Sequence, residues 1–296
     1  MLAPVLFGVT LVSFSLLHLV PGDPAEILGG QEATVEDIAR IRREYGLDRP
    51  LIVQYVRFLA NAARGDLGIS IQSRHPVREL LFQRLAFTLQ LSLASILVAS
   101  AIGLFAGIIS STRQYSILDT TSMLGALFGI SMPIFWLGLL LILVFAVKLH
   151  WLPSGGTGTF AHLILPAIAL GSASAAVIAR MTRASMLEVA RQDYIRTARA
   201  TGYRESVVIF RHGLKNAMIP VLTVFGLEFG YMLGGAVLTE TVFALPGIGR
   251  LLVEGIFMRD YPVVQGTMIV VAATFVLVNL LTDVAYALFD PRIRYE

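Results

Sequence analysis

A basic, polar segment at residues 180–215 carries the side chains best suited to bind another protein. It holds eight Lys or Arg against three acids and lies between two long apolar runs. Residues 186–200 contain neither Gly nor Pro, so the pattern predicts two short helices joined at Gly202. The predicted docking residues are Asp193, Tyr194, Ile195, Arg196, Thr197, Ala198, Arg199, Ala200 and Gly202.

On such helices the arginines would line the polar faces, and apolar side chains would fit a partner's groove. The expected apolar contacts are Tyr194, Ile195, Ala198 and Val207. An amphipathic helix that binds anionic lipid at the membrane surface is the alternative interpretation of the same pattern.

Motifs for catalysis are missing from the sequence. Neither lysine, Lys148 nor Lys215, follows a glycine, which excludes a phosphate-binding P-loop and therefore ATP hydrolysis by this chain. The five histidines are scattered and cysteine is absent, so no metal-ligand pair, disulfide or cysteine nucleophile is predicted. We expect no enzyme activity, no cofactor site and no metal site.

Three acidic residues lie in or next to apolar runs: Glu228, Glu240 and Asp283. Acids inside a membrane are costly and often mark a transport path, so Glu228 and Asp283 are candidates for a translocation path or gate. The alternative is that Glu228 hydrogen-bonds a neighbouring helix and Asp283 lies near the cytoplasmic headgroups.

Composition indicates an integral membrane protein. Of the 296 residues, 56% are hydrophobic and only 15% are charged, which is too apolar for a soluble domain. The formal charge of +3 comes from clustered arginines and bears on membrane orientation, so no nucleic-acid partner is predicted.

Charged residues divide the chain into six apolar segments, each long enough for a transmembrane helix. The third has Pro133 as a predicted kink, and the fourth is rich in small residues that allow close helix packing. Glu240 to Gly249 is predicted to follow the fifth span as a re-entrant or surface element. The segments are residues 1–20, 87–109, 119–148, 163–181, 218–238 and 263–288.

An even number of spans places both termini on one side of the membrane. The basic loop between the fourth and fifth spans puts that side in the cytoplasm by the positive-inside rule. The first segment lacks the basic start and cleavage site of a signal peptide, so we expect it to be retained. The loop at residues 21–83 then faces outward.

The outer loop contains local order of its own. Thr34 and Asp37 predict a helix start, Ile38, Ile41 and Tyr45 share one face, and Gly46 ends the pattern. Further on, Gly65, Asp66, Leu67 and Gly68 predict a tight turn.

The docking segment resembles the cytoplasmic coupling loop of ABC-importer permeases of the dipeptide, oligopeptide and nickel family. The resemblance covers nearly the whole chain and includes four further motifs. They are Pro21–Gly22–Asp23–Pro24, Gly65–Asp66–Leu67–Gly68, the stretch from Glu240 to Gly249, and the tail Asp290–Pro291–Arg292. The stretch from Glu240 resembles the family segment that faces the substrate-binding protein and the outer gate, which makes Glu240 a candidate gate residue.

One departure from the general importer motif affects the docking contacts. When the motif is aligned on Gly202, its Glu and first Ala fall on Arg196 and Thr197, and Lys215 replaces its Pro. The contacts usually ascribed to that Glu therefore do not carry over.

The resemblance implies an all-α fold with six transmembrane helices and a single permease domain at 1–296. Its core region would be 84–290 and its coupling loop 182–217. It further implies a second homologous permease, two cytoplasmic ATPase subunits that bind ATP and Mg, and an extracytoplasmic substrate-binding protein, in a bacterial or archaeal inner membrane. The cargo would be a di- or oligopeptide, glutathione or a nickel chelate.

Two other classes of function compete with this interpretation. A stand-alone ion-coupled secondary transporter could use Glu228 and Asp283 as ion sites, although it would not need the docking segment. A membrane anchor or receptor subunit that does not transport would need the docking segment but not the intramembrane acids.

Overall fold

The computed structural model describes residues 2–19, 25–26, 33–44 and 46–289, and it does not describe the side chain of Asp283. Within these ranges the regular secondary structure is helical apart from one isolated bridge between Ile69 and Pro76, and loops connect the helices. In chain order the helices are α1 (Leu2–Leu19), α2 (Val35–Glu44), α3 (Leu51–Ala63), α4 (Val77–Thr112), α5 (Ile117–Ser131), α6 (Ile134–Leu141), α7 (Ala161–Ala190), α8 (Asp193–Ala200), α9 (Glu205–Val207), α10 (Lys215–Val242), α11 (Ile248–Phe257) and α12 (Tyr261–Phe289).

Four helical stretches of the described chain are long and apolar enough to cross a bilayer: Val77–Thr112, Ala161–Ala190, Glu205–Val242 and Tyr261–Thr282. A fifth candidate is Ile117–Ser131 with Ile134–Lys148, two helices that meet at 104°. The all-α membrane fold is confirmed. In α1 (Leu2–Leu19) only the side chains of Pro4–Ser15 are described, so α1 is not among these candidates and the count of six stays a prediction.

The predicted kink at Pro133 is confirmed as the break between α5 and α6. Pro133 cannot donate a backbone hydrogen bond, and it favours an extended conformation in the residue before it. Met132 is extended accordingly, at φ −80° and ψ 129°. After α6 the helix continues as a π-helical segment, Ile142–Lys148, which the sequence did not predict.

Several helix boundaries differ from the predicted ones. Helix α4 begins at Val77, inside the predicted outer loop, and α7 continues to Ala190 instead of ending at residue 181. In α7 the cause is internal packing, because Thr182, Ser185 and Met186 are all buried. The sequence had assigned these residues to the polar loop because of the flanking arginines.

The chain forms two compact units. The first consists of Met1–Thr88 and Pro246–Val276, and the second of Leu89–Leu245 and Leu277–Glu296. Both α4 and α12 contribute residues to each unit. The assignment of one permease domain to residues 1–296 stays a prediction.

The first unit contains the outer segment, which has the local structure that its sequence predicts. Thr34 caps α2: its Oγ1 accepts the Asp37 N–H at 3.2 Å, and Asp37 accepts the Thr34 N–H at 3.2 Å. Gly46 follows α2 at φ 66°, whereas Tyr45 lies outside the described residues. Gly65 and Gly68 have φ of 79° and 82°, which confirms the tight turn.

The second unit is built around α7, which contacts α5, α6 and α10. Small residues also bring α4 against α7. A Cβ atom at Gly103 would lie 2.7 Å from the Ala175 carbonyl oxygen, and one at Gly107 would lie 2.6 Å from the Thr182 Cβ. The close approach predicted for the small-residue span is confirmed.

Candidate protein-docking site

Within the predicted docking segment, Asp193–Ala200 form the short helix α8, which follows α7 after a break of two residues. Gln192 is extended at ψ 148° and separates the two helices. Asp193 lies in the first turn of α8, where a negative charge stabilises the helix N-terminus. The sequence predicted α8 but not the break before it.

Gly202 ends α8 in a Schellman motif. Its own N–H donates to the Arg199 carbonyl at 3.0 Å, and the Tyr203 N–H donates to the Ala198 carbonyl at 3.4 Å. The motif needs a left-handed residue, and Gly202 has φ 84°. Helix α9 begins at Glu205 and continues through a π-helical segment into the long helix α10, so the join at Gly202 is confirmed, whereas a second short helix is not present.

Two of the predicted docking residues hold α8 against the rest of the chain. Ile195 is 1% exposed and Ala198 is 7% exposed, and both pack with Val208 and Val189. This burial corrects the expectation that Ile195 and Ala198 contact a partner, because their apolar surface is already covered by this chain. Val207 is half-buried.

The other seven predicted docking residues are exposed. Arg196 forms an ion pair with Asp193 at 3.5 Å, but both side chains are largely in solvent, where such a pair contributes little to stability. The outer face of α8 is therefore free to exchange this internal pair for contacts with another molecule. This face presents Asp193, Tyr194, Arg196, Thr197, Arg199 and Ala200, and the exposed Gly202 follows the end of the helix.

Arg199 connects α8 to the start of α9. Its Nη2 donates to Glu205 Oε1 at 2.8 Å, and its Nε donates to Glu205 Oε2 at 3.3 Å. The Glu205 carboxylate raises the pKa of Arg199 above its ordinary value, mainly through these hydrogen bonds. Nearby, Asn216 Nδ2 donates to Tyr194 Oη at 3.0 Å, which orients that exposed ring.

A π-helical segment, Val208–Leu214, connects α9 to the long helix α10. This segment and α8 line a cavity of about 340 Å³, together with the turn between α4 and α5 and the end of α7. Ser111, Gln114, Met186, Ile195 and Arg199 are among the lining residues. π-helical segments are rare and frequently occur at functional sites.

Of the three candidate path residues, Glu228 and Glu240 lie at different levels of α10. Glu228 lies in α10 and accepts a hydrogen bond from Ser174 Oγ of α7 at 2.5 Å, as the alternative interpretation expected. Glu240 lies inside α10 and is 1% exposed, which corrects its placement in a re-entrant or surface element outside the fifth span. The Asp283 side chain lies outside the description.

One polar cluster in this region was missed in the sequence, where Asp119 and Arg183 marked only the ends of apolar runs. In the structure Arg183 of α7 forms an ion pair with Asp119 of α5 at 2.9 Å. Ser116 accepts the Asp119 N–H at 3.2 Å, so the Ser116-x-x-Asp119 spacing is a helix-capping signal that was present in the sequence.

Two family models match the chain. The binding-protein-dependent transport system inner membrane component matches residues 99–295, and its N-terminal counterpart matches residues 2–92. A dipeptide transport system permease protein of Alkalihalophilus pseudofirmus is 47% identical, over 100% of this chain and 97% of its own length. A glutathione transport system permease protein of Escherichia coli K12 is also 47% identical, over 100% and 96%.

Solved structures give the same fold. The methionine ABC transporter MetNI has a TM-score of 0.62 at 20% identity, covering 71% of this chain and 96% of its own. An amino acid ABC transporter has a TM-score of 0.53 at 18% identity, covering 73% and 94%.

Its relatives are named as transport permeases, and this chain is a transport subunit of an ATP-driven importer, not an enzyme. The chain belongs to the family of binding-protein-dependent transport system inner membrane components.

Proposed function

We propose that α8 docks on a cytoplasmic ATPase subunit and that the chain couples ATP hydrolysis in that subunit to movement of its own spans. The observation that carries this proposal is that one face of α8 is buried and the other is exposed. Buried Ile195 and Ala198 fix the helix to this chain, and a basic outer face stays exposed. A helix that must receive force from a partner needs both features, because a loosely attached helix would move without moving the spans.

We further propose that the working transporter contains a second homologous permease, two ATPase subunits that bind ATP and Mg, and an extracytoplasmic substrate-binding protein. The family description names a binding-protein-dependent transport system, which supports the last partner. The ATPase subunits would supply the P-loop that this chain's sequence lacks.

The proposed cargo is a di- or oligopeptide or a related molecule such as glutathione or a nickel chelate. The named cargoes of two relatives, dipeptide and glutathione, support this class. The two relatives are equally similar to this chain but are named for different cargoes. We therefore propose that the substrate-binding protein determines most of the cargo specificity.

The proposed location is the inner membrane of a bacterial or archaeal cell, with both termini in the cytoplasm. The basic coupling loop supports this orientation through the positive-inside rule. Glu228, Glu240 and Asp283 remain proposed contributors to the path or gate. The ion-coupled carrier is not favoured, because the relatives are permeases of binding-protein-dependent systems.

Co-purification of the ATPase with the detergent-solubilised chain tests the docking proposal. We expect the double variant Arg196→Glu with Arg199→Glu to lose the ATPase while it still inserts into the membrane. The matched control is Arg64→Glu with Arg78→Glu, which reverses two exposed charges outside the docking segment and should retain the ATPase. Equal recovery of the ATPase from both double variants would exclude α8 as its docking site.

A further inference from the structure

The turn between α4 and α5 carries an ion cluster with no part in the exposed face of α8. Arg183 of α7 donates from Nε to Asp119 Oδ1 and from Nη2 to Oδ2, each at 2.9 Å. Ser110 of α4 donates to the same carboxylate and accepts from Arg183 Nε at 2.8 Å. The Tyr115 N–H adds a bond to Asp119 Oδ2 at 3.0 Å. One carboxylate thus connects α4, its turn, α5 and α7.

This cluster is mostly withdrawn from solvent. The Asp119 side chain is 7% exposed and that of Arg183 is 28% exposed. A charge pair at such a depth gains stability only with good geometry and further hydrogen bonds, and an apolar pair often packs equally well. A bidentate arginine–carboxylate pair does offer one thing that an apolar contact does not, which is a fixed relative orientation of two elements.

Close packing of α4 on α7 leads directly to the cluster. Gly103, Gly107 and Ser110 follow one another at helical spacing on the side of α4 that meets α7. At Gly107 a Cβ would lie 2.7 Å from the Ala179 carbonyl oxygen, so the two helix backbones are in contact there. The ion cluster lies at the end of this helix–helix contact that is nearest the coupling loop.

The same helix α7 leads into α8 after only two residues. Val189 at the end of α7 packs on the buried Ile195 and Ala198. The turn between α4 and α5, by contrast, faces α8 across the cavity of about 340 Å³. A displacement of α8 is therefore passed to α7 through these packed side chains. The bonds of Arg183 then connect α7 to α4 and α5.

We propose that the Asp119–Arg183 pair, with Ser110, is the joint that transmits movement of α8 to α4 and α5, which makes Asp119 and Arg183 positioning residues for ATP-driven transport. The inference rests on the proposed docking of α8 on the ATPase. When the ATPase shifts α8, α7 follows, and the bidentate pair makes α4 and α5 move with it. Without the pair, only packing holds the ends of α4 and α5 to α7 near the coupling loop, and the coupling of hydrolysis to transport weakens.

The first test uses the complete transporter in proteoliposomes and measures cargo transported per ATP hydrolysed. Asp119→Asn and Arg183→Gln should retain the ATPase but lower this ratio about ten-fold, within the usual range of coupling between distant sites. The exchanged pair, Asp119→Arg with Arg183→Asp, restores both charges but not the bonds from Ser110 and the Tyr115 N–H, so only part of the ratio should return. Arg113→Gln removes an exposed charge from the same turn and should leave the ratio unchanged.

The second test reads the joint directly and does not depend on transport. The sequence has no cysteine, so Arg113→Cys and Arg191→Cys provide two unique sites for spin labels, one on the α4–α5 turn and one at the end of α7. With Asp119 and Arg183 in place, we expect one narrow distribution of distances between the two labels, and ATP should not change it. Addition of Asp119→Asn should broaden it or make it respond to ATP.

Wild-type ratios in both single variants, with an unchanged label distance, would overturn the joint. So would a low ratio in Asp119→Asn together with a narrow label distance that ATP does not change, because the loss of coupling would then not come from a loosened joint. A wild-type chain that never binds the ATPase would instead overturn the docking proposal, and the joint with it.

Discussion

At the scale of single residues, burial separates the side chains that attach α8 to this chain from those that are free to contact a partner. Ile195 and Arg196 are neighbours in α8, yet the first is 1% exposed and the second 74% exposed in its side chain. Their roles should therefore separate in experiment: one change loosens the helix, and the other alters only its surface.

Ile195→Ala should destabilise the attachment of α8 by about 2–5 kcal/mol, the usual cost of removing a buried Ile side chain down to Cβ. We expect faster hydrogen exchange of the α8 amides in the purified complex and weaker binding of the ATPase. Arg196→Ala is the control, since a surface change should alter local stability by only about 0.5 kcal/mol. Equal exchange rates in the two variants would show that Ile195 is not an anchor.

Gly155 lies where no side chain fits. A Cβ atom there would be 2.1 Å from the Phe243 carbonyl oxygen, and the next residue, Gly156, donates its N–H to that oxygen at 2.9 Å. Gly155→Ala should therefore displace the loop after the π-helical segment Ile142–Lys148 and lower the thermal stability of the detergent-purified chain.

Gly234→Ala is the matched control for Gly155→Ala. It lies in α10 with open space around its Cβ position, and alanine favours a helix over glycine by about 0.5–1 kcal/mol. Its melting temperature should be equal to or above that of the wild type. If Gly155→Ala melts like Gly234→Ala, the close contact with Phe243 does not restrain the loop.

At the scale of elements, the end of α8 depends on one backbone conformation. Gly202 has φ 84°, and a residue with a Cβ pays about 1–2 kcal/mol there. Gly202→Ala should fray the last turn of α8 and reduce recovery of the ATPase. Gly202→Asn should restore much of both, because Asn tolerates the left-handed region, and hydrogen exchange at Arg199 and Ala200 measures the difference. An Asn variant as defective as the Ala variant would argue against the Schellman motif.

The elements that the sequence predicted well are those whose cause is local. The capping pair Thr34 and Asp37, the break at Pro133 and the turn at Gly202 each need only a few neighbouring residues. Most of the docking face followed from the same kind of signal, because charges in α8 alternate with apolar residues at helical spacing.

The features that the sequence did not reveal depend on contacts between distant residues. Helix α7 extends to Ala190 because its last turns are buried, and Glu240 lies within α10 for the same kind of reason. Arg183 was taken as one more loop charge, since its partner Asp119 is 64 residues away along the chain. No local pattern connects two such positions.

At the scale of the whole molecule, the distribution of charge makes a prediction about topology. The basic coupling loop should lie in the cytoplasm with both termini, and the segment at residues 21–83 should lie outside. The four or five candidate spans of the described chain do not include α1, so α1 is the element whose crossing needs a direct measurement.

Single-cysteine labelling provides that measurement, because the chain has no cysteine of its own. A membrane-impermeant maleimide should reach Arg64→Cys and Ser154→Cys from outside intact cells, and Arg113→Cys and Arg196→Cys only after the membrane is opened. If α1 crosses the bilayer, Leu2→Cys must behave like Arg113→Cys and opposite to Arg64→Cys. Labelling of Leu2→Cys from outside would show that α1 does not cross the bilayer and that the prediction of six spans is wrong. It would place the start of α1 on the same side as the outer segment.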